Sequence, residues 1–376
     1  MNKAVRKPLS ELADIIMGQS PDSESYNNKG DGIPFYQGKS DFGVVHPTVR
    51  MYCNAPKKIA IANDILMSVR APIGDVNIAQ DNCCIGRGLA AIRPKEHTNL
   101  KYLFYVLDYY KERLAEQGTG STFKAIGKDI LNEFSIPAWD SQTQQSIANT
   151  IDEIQELIFN RQKALSVLDE LVKSRFIEMF GTYITDSSRH KKLKDVCNFI
   201  DYRGKTPEKS DSGIPLITAK NVRDNHFSPD PQEFIPIENY ETVMTRGIPK
   251  VNDVLFTTEA PLGNVCRIPD LYDKFCVGQR IVTIQPHPDI LIPEYLERTL
   301  LSDDFQEKIW QQATGSTVKG IRSKRLIELT IPIPPLGMQK KYADFVTLTD
   351  KSKFAVQQSI DTLQTLKAKL MQDYFG

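Results

Sequence analysis

Histidine and cysteine are scarce in this chain, and neither falls at a metal-binding spacing. Of 376 residues five are His and six are Cys. No C-x-x-C or H-E-x-x-H occurs, and His46, His97, His190, His226 and His287 form no ligand pattern. Cys53, Cys83, Cys84, Cys197, Cys266 and Cys276 therefore read as small buried residues, not zinc ligands or disulfides. An excess of charge is also lacking, with Lys+Arg 47 against Asp+Glu 47. A chain that holds nucleic acid by bulk positive charge has a basic balance, so any such site here must be local. No run nears the roughly 18 apolar residues of a membrane span, and MNKAVRKPLSELADIIMG has no signal-peptide pattern, so a cytoplasmic location is expected.

Catalytic signatures are missing as well. A phosphate-cradling P-loop needs Gly five residues before its Gly-Lys pair. For the GKS at 38–40 that position is Ile33, and for the GKT at 204–206 it is Phe199. No Glu-x-Lys or Asp-x-Lys is present for a metal-dependent nuclease, and no G-x-S-x-G elbow. The polar-Pro-Pro-aromatic tetrad with which an amino-methyltransferase grips an extruded base has only Ile333-Pro334-Pro335-Leu336 as its nearest match. The GxG strings at 86–88 and 118–120 read as turns. The chain thus reads as non-catalytic, with no cofactor or metal of its own.

What is there is a globular composition, 40% hydrophobic and 25% charged, long enough for two to three domains. It is also written twice. GIPFYQGKS at Gly32 answers GIPLITAKN at Gly213, and NDILMSVRAPIGDV at Asn63 answers NDVLFTTEAPLGNV at Asn252. IGRGLAAIRP at Ile85 answers VGQRIVTIQP at Val277, TGSTFKAI at Thr119 answers TGSTVKGI at Thr314, and FSIPAWDSQTQ at Phe134 answers LTIPIPPLGMQ at Leu329. This is one duplicated unit, not a solenoid of short repeats. Each copy runs from short β-like segments (IPFY, ILMSV and LAAI; IPLI, VLFTT and IVTI) through a helix, NLKYLFYVLDYYKERLAEQ or PEYLERTLLSDDFQEKIWQQ, to the TGST loop. A proline-bearing apolar run then leads into a long helix.

The long helices carry a four-three apolar repeat. Positions 147, 151, 154, 158, 161, 165, 168, 172, 175 and 179 hold Ile, Ile, Ile, Ile, Arg, Leu, Leu, Val, Arg and Met. Their counterparts are Tyr342, Val346, Thr349, Lys353, Val356, Ile360, Leu363, Lys367, Leu370 and Tyr374. A helix over residues 142–180 would run roughly 58 Å and needs a partner, for which its duplicate is the obvious candidate. The expected fold class is α+β: two duplicated mixed α/β domains separated by two long antiparallel coiled-coil helices about a pseudo-twofold axis.

This order of parts, repeated and joined to long helices, resembles the specificity subunit of type I restriction–modification enzymes over essentially residues 1–376. The resemblance implies target-recognition domains at 1–140 and 182–335, each reading half of a split double-stranded DNA sequence. Helices at 141–181 and 336–376 would set the gap, at most about 17 base pairs for a rod of that length. It implies docking of two methylation subunits, and of restriction subunits in the full complex. S-adenosylmethionine, ATP and Mg would reside in those partners, and adenine as the methylated base is part of the same implication.

Base reading needs Arg or Lys for guanine and Asn or Gln for adenine, while phosphates take Lys, Arg, Ser and Thr. In the first copy the polar loops after apolar strands supply Tyr36, Gln37, Lys39 and Ser40, then Arg70, then Arg87, with Ser121, Thr122 and Lys124 from the TGST loop. In the second they supply Thr218, Lys220 and Asn221, then Thr258 and Glu259, then Gln279 and Arg280, and Ser316, Thr317 and Lys319. Tyr202, Arg203 and Lys205 form an additional basic, aromatic loop. Shared positions should do sequence-independent work. Differing ones, such as Arg70 against Glu259 and Gln37 against Ala219, are the better base readers. The residues alone leave open a related restriction or defence system, a protein–protein adaptor, and an enzyme on another fold.

Overall fold

The computed structural model describes residues 4–376 except 121–123, 203–206 and 224–225. It divides into two compact units, Met1–Gln162 with Gln358–Gly376, and Lys163–Gln357. Compactness therefore cuts across the element boundaries at 140, 181 and 335, because each unit takes in part of both long helices.

The repeated ND turn shows why both copies fold alike. Asn63 and Asn252 both have φ of 70°, the left-handed region that Asn tolerates better than most side chains. The Asp that follows then ties the turn down. Asp64 accepts from the Ile61 amide and takes both prongs of the Arg93 guanidinium at 2.8 Å. Asp253 accepts from the Lys250 amide and from Gln285 at 2.6 Å. Arg93 and Gln285 are the variable residues of the IRP and IQP strings, so a charged and a neutral donor serve the same frame.

In the first unit these turns feed a four-stranded antiparallel sheet in the order Ala13–Met17, Leu89–Pro94, Ile65–Ser68, Val76–Ile78. The second unit repeats it as Cys197–Asp201, Ile281–Pro286, Val254–Thr258, Leu262–Arg267. A second sheet holds a parallel pair in each, Ile33–Tyr36 with Cys83–Ile85 and Ile214–Ile217 with Cys276–Val277. The expected single helices before the TGST loops are each two. Leu100–Tyr109 is followed by Lys111–Glu116, and Pro293–Leu300 by Asp303–Gln312. In the second, Ser302 starts the new helix by accepting from the Phe305 amide.

The long helices begin where the proline runs end, spanning Ser141–Thr185 and Leu336–Phe375. In the first unit the Leu100–Tyr109 helix is stapled beneath one of them. Tyr102 donates to the Pro137 carbonyl, and the Gln144 side chain accepts from the Asn99 amide while donating to the Trp139 carbonyl. Tyr295 and Gln339 make the equivalent bonds in the second unit, to Pro332, Ile292 and Pro334. The helix pairing runs antiparallel within each unit. Lys367 donates to Gln155 while Phe375 packs in the cluster with Ile147 and Ile151. Lys353 meets Asp169 at 2.6 Å while Tyr342 and Phe180 lie 5.5 Å apart, ring to ring.

The apolar seam departs from the four-three repeat in the last turns. Arg175, Met179, Leu370 and Tyr374 flank it, and Phe176, Phe180, Met371 and Phe375 are buried instead, one residue later in both copies. A straight helix drifts against a strict seven-residue repeat, and here the ends pack on globular cores as well as on each other. Phe375 meets Tyr102 and Tyr109 edge-on at 5.7 Å, and Tyr110 donates to its carbonyl. Phe180 lies 4.7 Å from Tyr295, and Phe176 5.6 Å from Tyr342. Among the described residues no helix is long and apolar enough to cross a membrane.

Phe375→Ala should lower the unfolding free energy by about 3–5 kcal/mol, whereas Phe354→Ala, on a helix face 65% exposed, should change it by less than about 0.5 kcal/mol. Urea denaturation of the two variants checks this, and equal effects would contradict the assigned seam.

Candidate nucleic-acid interface

A ladder of backbone bonds brings the polar loops of the first unit side by side. The Gly86 amide donates to the Tyr36 carbonyl at 2.8 Å, Val69 to Gly88 at 2.9 Å, and Ile126 to Val69 at 2.9 Å. Arg70 bridges Ala125, and Thr119 and Ala125 exchange both of their backbone bonds. The rim therefore reads, in space, Gln37, then Gly86–Gly88, then Arg70, then the TGST loop. Gly88 is required there, because a Cβ would lie 2.3 Å from the Gln37 carbonyl oxygen.

The second unit repeats the ladder. Gly278 donates to Ile217, Thr258 to the Arg280 carbonyl, and Ile321 to Thr258. Glu259 bridges Gly320, and Thr314 and Gly320 exchange both bonds. Here the rim encloses a groove of about 300 Å³ lined by Thr258, Glu259, Gln279, Arg280, Thr314 and Arg322, among others. The TGST loops turn at Gly120 and Gly315, with φ of 123° and 113°, values L side chains rarely adopt.

The ladder also fixes which positions correspond. Tyr36 and Ile217 occupy the same rung, so Gln37 is equivalent to Thr218 and not to Ala219. The pairs that differ on the rim are Gln37 and Thr218, Arg70 and Glu259, Arg87 and Gln279, and Gly88 and Arg280.

The proposed contact residues separate into three groups. Gln37, Lys39, Ser40, Arg70, Arg87 and Lys124 in the first unit, and Lys220, Arg280, Ser316, Thr317 and Lys319 in the second, are exposed; Glu259 and Gln279 are half-buried. Tyr36, Tyr202, Asn221 and Thr258 are buried, a correction to their expected role at the surface. Burial pushes the Tyr36 hydroxyl up to about 12. Tyr202 donates to the Gly247 carbonyl and accepts from the Arg246 amide. Asn221 accepts from the amide and hydroxyl of half-buried Thr218 and donates to Ser228 and Pro231. Thr258 donates to the Arg280 carbonyl at 3.2 Å. These four hold the loops in place. Ser121, Thr122, Arg203 and Lys205 lie outside the described residues.

Charge is distributed differently on the two rims. Arg70, Arg87 and Lys124 have no carboxylate partner among the described residues. The equivalent lysines Lys39 and Lys220 are engaged, with Asp75 at 2.7 Å and Glu233 at 3.1 Å. Asp75 would be raised by burial, but the bonds from Lys111 and Lys39 hold it below the ordinary carboxylate value. On the second rim Arg280 meets Glu259 at 3.2 Å. No motif singled out Arg322, which lines the groove, or Val44, 95% exposed on a loop that Asn77 ties down at Gly43. A polar or apolar loop residue carries no pattern by which its neighbours in space can be read.

The arrangement offers hydrogen-bond donors and acceptors. All six cysteines are buried and free, and burial pushes Cys83, Cys197 and Cys276 up to about 12, keeping them protonated. Among the described residues no three His, Cys, Asp or Glu side chains cluster as metal ligands.

Comparison with known proteins agrees with this frame. The family model for the type I restriction modification DNA specificity domain matches residues 1–167 and 186–366. A Methanocaldococcus jannaschii protein assigned as the specificity subunit of the MjaX type I restriction enzyme is 45% identical over 160 residues, 42% of this chain and 38% of that one. The MjaIX type I restriction enzyme specificity subunit of the same organism is 26% identical over 203 residues, 51% of this chain and 46% of that one. The matched part is thus under half the length of each relative. The crystal structure of the S subunit of a type I restriction-modification system from M. genitalium shares the fold, with a TM-score of 0.58 at 17% identity over 99% of this chain and 96% of that one. With its two halves each matched by the same model, the chain belongs to the type I restriction modification DNA specificity domain family.

Proposed function

We propose that this chain is the non-catalytic reader of a type I restriction–modification complex, taking one half of a split, asymmetric DNA target on each rim. One observation carries this reading. The same backbone ladder is built twice, and the side chains it presents differ at Gln37/Thr218, Arg70/Glu259, Arg87/Gln279 and Gly88/Arg280. A constant frame with changing donors and acceptors is what base-edge recognition requires. The exposed Ser316, Thr317 and Lys319, and Lys124 in the first unit, suit sequence-independent phosphate contact.

The long helices set the number of unread base pairs between the half-sites and dock methyltransferase subunits, two per chain. Large apolar residues left exposed on them support the docking: Phe159 in the first unit, and Ile177, Leu348 and Phe354 in the second, each 62–66% exposed. The partners bring S-adenosylmethionine for adenine methylation and, with restriction subunits, ATP and Mg. The assembly works in the cytoplasm. The net charge of zero fits a division of labour in which the partners supply most phosphate contacts, so the chain alone binds DNA weakly.

Co-expression with its methylation subunit, followed by single-molecule sequencing of methylated sites, should give a bipartite motif, and exchanging residues 1–140 for those of a relative should change one half only. A continuous motif would contradict two separate readers. Lys124→Ala and Lys319→Ala should each weaken binding across all sequences and reduce the slope of log affinity against log salt by about 1, measured by fluorescence anisotropy on the assembled complex. A change in the methylated motif instead would give these lysines a base-reading role.

A further inference from the structure

We propose that Glu259 and Arg280 act together to read a single G·C base pair in the half-site taken by the second unit, an inference that rests on the DNA-reading function above. The two side chains face each other across the groove, with Arg280 Nε 3.2 Å from Glu259 Oε1. Their backbones are fixed from below. The Arg280 carbonyl accepts from both the amide and the hydroxyl of Thr258, which is 2% exposed, and Glu259 is bridged to Gly320.

An ion pair with side chains 53% and 47% exposed contributes little to stability, so holding the fold is a weak reason for it. What the pairing does is orient. With Nε engaged, the two terminal nitrogens of Arg280, which have no partner among the described residues, remain as parallel donors, and Glu259 keeps its second oxygen as an acceptor. The pair presents donor, donor, acceptor. The major-groove edge of a G·C pair presents, in order, the N7 acceptor, the O6 acceptor and the cytosine N4 donor. The two patterns are complementary. Against an A·T pair the second Arg donor meets the adenine N6 donor and the carboxylate meets the thymine O4 acceptor, so both contacts repel. The first unit has Arg70 and Gly88 at these positions, and the device cannot form there.

The test uses the full chain co-expressed with its methylation subunit and maps methylated sites by single-molecule sequencing. The half-site that changes when residues 182–335 are exchanged should contain a G·C pair. Glu259→Ala and Arg280→Ala should each relax that position, losing roughly tenfold or more of the discrimination against other bases, while the other half-site stays fixed. Arg280→Lys, which keeps the charge and the fold but not the fork, should relax it too. A half-site without a G·C pair, or one unchanged in Arg280→Lys and Glu259→Ala, would overturn the inference while leaving the DNA reading intact. Wild-type protein that directs no split motif would overturn that reading itself.

Discussion

The structure depends on aromatic burial at the ends of its two long helices. Neither helix has an apolar face rich enough to stand alone, and each carries towards its C-terminal end a phenylalanine that enters a globular core: Phe375 among Tyr102, Tyr109 and Tyr110, and Phe180 against Tyr295 and Tyr342. A helix that terminates in its own unit's surface could swing. One anchored by such a phenylalanine in the core beneath the strands cannot, and the sheets whose edges carry the polar loops are fixed by it. Rigidity of this kind is what a reader of base edges needs, since bidentate contacts lose their discrimination when the groups presenting them wander.

Duplication lets one solution serve two purposes. The ND turn, the Tyr-to-proline-run bond and the glutamine staple recur with the same partners in both units. Selection for folding and selection for recognition therefore act on different atoms, the first on backbone and buried polar groups, the second on side chains that leave the ladder. The consequence is visible in the charge. Among the described residues Arg70, Arg87 and Lys124 on the first rim and Lys319 and Arg322 on the second have no carboxylate partner, and only the second rim adds a mutually neutralising acid and base, Glu259 with Arg280; a chain of zero net charge can hold both.

Much of this was legible in the sequence, because a duplicated string reports on itself: NDILMS answered by NDVLFT, and TGST written twice, pin strands, turns and loops without a structure. The long helices start at 141 and 336 as the proline runs predict. Phase was lost where the helices stop obeying each other. Phe176 is buried against Tyr295, and Met371 within the core of the first unit, in clusters that no heptad count contains. The loop residues divided on a similar ground. Tyr36 and Thr258 close the strands Ile33–Tyr36 and Val254–Thr258 and are bonded to Gly86 and Arg280, distant in sequence, while Asn221 is bonded to Ser228 and Pro231, and burial of that kind has no local period. The repeat itself pairs Gln37 with Thr218, in GIPFYQ and GIPLIT, and the bonds from Gly86 and Gly278 agree with it.

The central claim is that one frame reads different bases by changing the side chains on its rim. Its most direct measurement is a transplant: Thr218→Gln, Glu259→Arg, Gln279→Arg and Arg280→Gly together give the second rim the side chains of the first. Genome-wide methylation directed by that variant should shift the second half-site toward the bases of the first and leave the first unaltered. A folded variant that still methylates the original asymmetric motif would contradict the account.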